Sequence, residues 1–164
     1  MSTLGTWQFR VSRALGRLAT RVAAALTLGR MPPFVSASAV VIRGGSILVV
    51  EDAARREPVL PGGHLRWKED PRHAVVREVW EETGFCIEPG RVLGVFSGEE
   101  WAGERGVVRI IYQGTVLDGR LRSSSEGEAR WMPFAALASS ETRDAAILRH
   151  LLRENAMAES DVEP

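Results

Sequence analysis

A chain of 164 residues is long enough for one well-buried domain and too short for two of ordinary size. Hydrophobic residues at 45% beside 26% charged residues are ordinary globular composition and exclude a disordered chain. Basic and acidic residues number 21 each, which argues against wholesale binding of nucleic acid, and the single cysteine, Cys86, excludes an intramolecular disulfide.

The charge is unevenly placed. No acidic residue precedes Glu51, whereas Arg10, Arg13, Arg17, Arg21, Arg30 and Arg43 do, which leaves 15 basic against 21 acidic residues from Glu51 onward. Trp7, Val11, Leu15, Leu18, Val22 and Leu26 recur at helical spacing beside a stripe of arginines, so a basic amphipathic helix is predicted within residues 1–33. Three roles stay open for it: an extra helix packed on the domain or against a second copy in a homodimer, a weak contact of residues 1–30 with an anionic membrane surface, or an organelle-targeting presequence. No apolar run reaches the length of a membrane span, and a cytoplasmic location is expected. Met31-Pro32-Pro33 then ends the helix, because proline cannot continue it.

Residues 34–155 read as one domain and 156–164 as a flexible tail. Phe34 to Ile42 and Ser46 to Glu51 are predicted strands joined by a turn at Arg43-Gly44-Gly45. Val59-Leu60 is a brief strand running into Pro61-Gly62-Gly63. A helix is predicted from Pro71 to Thr83, with Asp70 as its N-cap, proline at the first helical position and Gly84 as its stop. Ala74, Val75 and Val79 face a core on that helix, and Arg77, Glu78, Glu81 and Glu82 point elsewhere. Val92 to Phe96, Val107 to Val116 and Arg130 to Met132 are further strands, and 141–155 is a terminal helix. Cys86, beside an apolar position, is expected to be a buried small residue rather than a nucleophile. Strands before, between and after one central helix predict a mixed α/β layered domain.

The informative stretch is that central helix. Residues three and four apart share a helical face, so Glu78 meets both Glu81 and Glu82. Like charges at that spacing cost a helix roughly a few tenths of a kcal/mol per pair. Packing asks for no such cluster, but a hard divalent cation does, because Mg²⁺ and Mn²⁺ take oxygen ligands.

Gly63, five residues, Glu69, seven residues, then Arg77-Glu78-Val79-Trp80-Glu81-Glu82-Thr83-Gly84-Phe85 resembles the Nudix box at every fixed position. The flanking strands, Leu60-Pro61-Gly62-Gly63 and Trp131 ahead of a final helix resemble the rest of a Nudix domain. The resemblance implies an α/β/α sandwich with a mixed sheet, here with an extra N-terminal helix. It further implies a hydrolase of a diphosphate linking a nucleoside to another moiety, with Mg²⁺ or Mn²⁺ as cofactor and a small nucleotide-type molecule as substrate. Glu78, Glu81 and Glu82 would be the metal ligands, with the backbone carbonyl of Gly62, and Arg77 an orienting partner reaching Glu69 or a neighbouring glutamate. Family members often add a distant carboxylate as ligand or base. Glu126 is the first candidate, with Glu128 and the loop of Glu99, Glu100 and Glu104 as alternatives.

Two departures from the family pattern fall in the loop Gly63 to Glu69. Lys68 stands where many members have glycine, and a lysine can hold the left-handed conformation at modest cost, so the loop is expected to form either in place or shifted; Arg66 stands where many have an acid. Arg66 and Lys68 are either phosphate-contacting or surface charges; His64 and Trp101 are further candidates for substrate contact. No motif for NADH or coenzyme A hydrolysis is present, nor the proline about fifteen residues past the box that is often seen in ADP-ribose pyrophosphatases. A Nudix-fold binding module without turnover, and a membrane-surface protein, are the competing readings.

Overall fold

The computed structural model describes residues 32–52, 56–102, 106–125, 127–154 and 157. The chain divides into two units, Met1–Pro33 and Phe34–Pro164; apart from Pro32 and Pro33 the described residues belong to the second. The predicted basic helix, with the dimer and membrane contacts expected of it, lies outside them. No helix among the described residues is long and apolar enough to cross a membrane.

In chain order the elements are β1 (Phe34–Arg43), β2 (Ser46–Asp52), β3 (Pro58–Val59), β4 (Gly62–His64), α1 (Pro71–Thr83), β5 (Phe85–Ser97), α2 (Glu99–Ala102), β6 (Val107–Gly119), β7 (Gly127–Pro133), α3 (Phe134–Ala138) and α4 (Arg143–Arg153). The seven strands form one mixed sheet in the order β3-β2-β1-β6-β5, with β4 also pairing with β1 and β7 with β2. Strand β1 changes partner along one edge: Ser36–Ser38 pair antiparallel with β4, and Ile42–Arg43 with β2. Its other edge runs parallel to β6, from Phe34 opposite Val107 to Val41 opposite Gly114.

Alternation along the strands makes two cores, one on each face. Val40, Ile47 and Val49 pack with Phe134, Leu137, Ile147, Leu148 and Leu151 of α3 and α4. Ala37, Ala39, Val41 and Leu48 pack with Ala74, Val75 and Val79 of α1. The result is helix, sheet, helix, the layered arrangement expected. Met157, assigned by the sequence to the tail, is buried in the α4-side core.

Helix α1 begins and ends where its caps place it. Asp70 accepts a hydrogen bond from the Arg72 N–H at 2.8 Å, Pro71 occupies the first turn, and Gly84 at φ 77° donates its N–H to the Trp80 carbonyl at 3.0 Å. Two expectations need correction. Strand β5 starts at Phe85, not Val92, because irregular pairing carries it through Pro89 and Gly90. Cys86 is exposed, since it alternates with the buried Phe85 and Ile87 on that strand.

Candidate active site

The site is built from the C-terminal half of α1, the loop before that helix and the strand β4. The chain turns tightly from Arg66 to Glu69: the Glu69 N–H donates to the Arg66 carbonyl at 3.0 Å, and the Arg66 N–H donates to Glu69 Oε2 at 2.7 Å. Lys68 takes the left-handed conformation that glycine normally fills, at φ 63°. Arg77 then grips Glu69 with both arms of its fork, Nε to Oε1 at 2.7 Å and Nη2 to Oε2 at 2.8 Å. That bidentate contact, with the Arg66 N–H, outweighs burial and lowers the Glu69 carboxyl to about pKa 2. The same bond raises Arg77 further above its already high value, with Glu78 adding to it.

Arg77 is also the hub of the ridge. Its Nη1 donates to Glu78 Oε1 at 2.6 Å and to Glu81 Oε2 at 3.2 Å, and its Nη2 to the His64 carbonyl at 3.3 Å. Arg66 Nη2 donates to the other oxygen of Glu81 at 3.0 Å. Glu82, expected to point away from the core, is instead 8% exposed and accepts the Gly62 N–H at 2.8 Å. Gly62 has φ 152°, and a Cβ there would collide with the Ala37 carbonyl oxygen and Ser38 Oγ. A Cβ on Gly63 would meet the Glu78 carboxyl at 2.6–2.7 Å. Two glutamates of α1 thus reach two consecutive glycines of β4; a Cβ at Gly63 would meet Glu78, while a Cβ at Gly62 is excluded by the close approach of β1.

Among the described residues no three His, Cys, Asp or Glu side chains meet around a single point. Arg77 holds Glu78 and Glu81, Arg66 also holds Glu81, and the Gly62 N–H holds Glu82. The donor chemistry nonetheless fits a hard divalent ion. Every side chain offered is a carboxylate, all three lie within five residues of one helix, and Glu78 and Glu82 both border the Gly62–Gly63 backbone.

A model of the NUDIX domain matches residues 32–154. The chain belongs to the NUDIX family. A "MutT-like protein" of Streptomyces ambofaciens is 38% identical over 101 residues, 60% of this chain and 63% of that one. An "ADP-ribose pyrophosphatase" of Methanocaldococcus jannaschii is 28% identical over 58% of this chain and 59% of its own. The chain therefore spans somewhat less than two thirds of these relatives. Among solved structures, a MutT protein from Methanosarcina mazei Go1 superposes with TM-score 0.65 at 28% identity, covering 77% of this chain and 97% of that one. A UDP-X diphosphatase shares the fold, with TM-score 0.64 at 19% identity over 84% of this chain and 72% of its own.

The NUDIX fold brings some of the residues singled out by sequence to the ridge and leaves others elsewhere. Arg66, Arg77, Glu78, Glu81, Glu82, Gly62 and the carbonyl of His64 are together. The His64 ring instead stands edge-on to Phe34. Trp101 packs on Phe96 and His150, with ring centroids 5.5 and 5.2 Å apart, against the α4-side core rather than beside α1. Glu99 and Glu100 open the same short helix. Glu128 is exposed on β7 opposite Glu51, bordering an open cavity of about 450 Å³ with Asp52, Arg56 and Ser124. Glu126 and Glu104 lie outside the described residues.

Sequence reading missed two features of this NUDIX site. Trp67 is 91% exposed at the tip of the Arg66–Glu69 turn, between the two cations already noted. Asp144, at the start of α4, is buried against Arg109 and the Leu60 N–H. A lone acid in the first turn of a helix is the ordinary dipole-matched residue, and nothing in the sequence names partners 35 and 84 positions away.

Proposed function

We propose that this NUDIX protein is a divalent-metal-dependent pyrophosphohydrolase that cleaves the diphosphate linkage of a nucleotide, dinucleotide or nucleotide-sugar type substrate. The convergence of Glu78 and Glu82 on Gly62–Gly63, with Glu81 alongside, carries this reading. Glu78, Glu81 and Glu82, with the Gly62 carbonyl, would hold Mg²⁺ or Mn²⁺. The bound ion supplies neutralisation of phosphate charge and a more acidic water.

The chain's own groups do the rest. Arg77, clamped by Glu69, holds Glu78 and Glu81 in place and keeps clustered negative charge tolerable before substrate arrives. Glu69 has both oxygens engaged and stays ionised, so it braces Arg77 and does not accept a proton from water. Arg66 and Lys68 lie on the same loop and supply positive charge for a polyphosphate. Trp67, projecting between them, is the aromatic side chain of that loop able to stack on a base, a role for which Trp101 is otherwise engaged. Relatives named "ADP-ribose pyrophosphatase", "Probable DHNTP pyrophosphohydrolase" and "Diphosphoinositol polyphosphate phosphohydrolase 3-alpha" support this reading.

The test is a panel of nucleoside triphosphates, dinucleoside polyphosphates, ADP-ribose and nucleotide sugars, with Mg²⁺ or Mn²⁺, comparing the parent with Glu82→Gln. The variant keeps its fold and loses turnover by about 10²-fold or more. Hydrolysis of the best substrate at the parent rate would remove Glu82 from the ligand set.

A further inference from the structure

The segment Leu60-Pro61-Gly62 enters the site with only two amide hydrogens, because proline has none. Each is taken by a buried carboxylate, and the two carboxylates come from helices on opposite faces of the sheet. The Gly62 N–H goes to Glu82 of α1 at 2.8 Å, and the Leu60 N–H goes to Asp144 Oδ2 of α4 at 2.5 Å. Glu82 and Asp144 are 8% and 3% exposed.

Asp144 is itself held. Arg109 of β6 donates Nη1 to Asp144 Oδ1 and Nη2 to Oδ2, the latter at 3.1 Å, and gives its Nε to Ser38 Oγ at 3.0 Å. Ser38 is the register partner of Gly62, and its hydroxyl fills the space where a Gly62 side chain would begin. The Ala39 N–H donates to the Pro61 carbonyl at 3.0 Å. Every residue from Leu60 to Gly62 is therefore pinned, and the α4-side anchors meet at one guanidinium.

Burying an ion pair is expensive, and apolar residues of equal volume would tie α4 to the sheet as well. What the planar, forked Arg109 provides that they would not is direction: three of its nitrogens are committed to fixed acceptors. We propose that Arg109 and Asp144 are positioning residues for the ridge. From the far side of the sheet they set Leu60–Gly62, and through the Gly62 N–H they set the carboxylate of Glu82. This rests on the reading of Glu82 as a metal ligand, so its test includes a measurement independent of metal.

The experiment uses the full chain, the variants Asp144→Asn, Arg109→Lys and Ser38→Ala, and as control Ile147→Ala, a core truncation on the same helix. Mn²⁺ affinity is read by the paramagnetic resonance of the free ion, kcat and KM on the best substrate, and amide exchange at Gly62 by NMR. Asp144→Asn is expected to weaken Mn²⁺ binding about tenfold, to lower kcat at saturating Mn²⁺ with KM little changed, and to speed Gly62 exchange at least tenfold. Arg109→Lys and Ser38→Ala follow in the same direction by about threefold. Ile147→Ala lowers Tm but leaves Mn²⁺ affinity and kcat within twofold. Should Asp144→Asn not fold, Ser38→Ala decides, since it removes one acceptor of Arg109 and leaves the ion pair. Mn²⁺ affinity within twofold of the parent in the folded variants, with only Tm reduced, overturns the proposal and leaves a plain tether. A parent that binds Mn²⁺ no better than Glu82→Gln overturns the metal reading and this one with it, while Gly62 exchange still reports whether the two faces are linked.

Discussion

Gly62 and Glu82 are twenty residues apart in sequence and joined by a 2.8 Å hydrogen bond from the glycine amide to Oε2 of the acid. The bond ties the strand that enters the site to the helix that lines it. It also separates what Glu82 does for folding from the metal-binding role proposed for it. Glutamine keeps an oxygen for the Gly62 N–H, so Glu82→Gln should melt within about 2 °C of the parent while turnover collapses. Glu82→Ala leaves a buried N–H without an acceptor and should cost about 1–3 kcal/mol as well. Thermal melts of the two variants beside their kcat values check the distinction.

Consecutive glycines give opposite predictions. An alanine at Gly62 collides with the Ala37 carbonyl at a φ that side chains resist, so Gly62→Ala should lose about 2 kcal/mol or more of stability. The atoms nearest an alanine Cβ at Gly63 are those of the Glu78 carboxyl, the far end of a flexible side chain. Gly63→Ala should therefore melt near the parent and lose most of its turnover, through displacement of Glu78. Equal losses of stability in both variants would contradict the geometry.

The Glu69–Arg77 clamp predicts a pH dependence with a definite sign. Glu69 has its folded pKa lowered to about 2 from an ordinary value of 4.5, so its contribution to stability is complete above pH 4.5 and is lost as pH falls toward 2. The stability difference between the parent and Glu69→Gln, from urea unfolding, should be constant from pH 5.5 to pH 7 by this reasoning and shrink steadily below about pH 4.5. A difference that grows on acidification would exclude the clamp.

The two tryptophans flanking the problem of substrate contact should separate cleanly. Trp101 packs on Phe96 and His150, and Trp101→Ala should lose about 2 kcal/mol of stability. Trp67 is almost wholly exposed, and Trp67→Ala should leave Tm unchanged and raise KM for substrates that carry a base. Paired melts and KM values for the two variants, on a substrate with a base and one without, are the measurement.

What could be read from sequence was what is local. Asp70, Pro71 and Gly84 fix the bounds of α1 by satisfying its own end groups, so helix and ridge were legible together. The left-handed conformation of Lys68 was legible too, because the family pattern it resembles has glycine at that position. Strand β5 was read short, because Pro89, Gly90 and the register shifts around them break the alternation that marks a strand. Cys86 was misjudged from its apolar neighbour, when alternation on a strand sends adjacent residues to opposite faces. Asp144 and Arg109 were invisible, because their meaning lies in partners that only the sheet brings near. Trp101 carried the right chemistry in the wrong place, since nothing local told one face of the sheet from the other.

Cys86 is the only thiol in the chain and it faces solvent on β5. A nitroxide attached there is unique without removing any other cysteine. With manganese added, the distance from that label to the ion tests whether the ion sits at the proposed ridge, in solution and without a substrate.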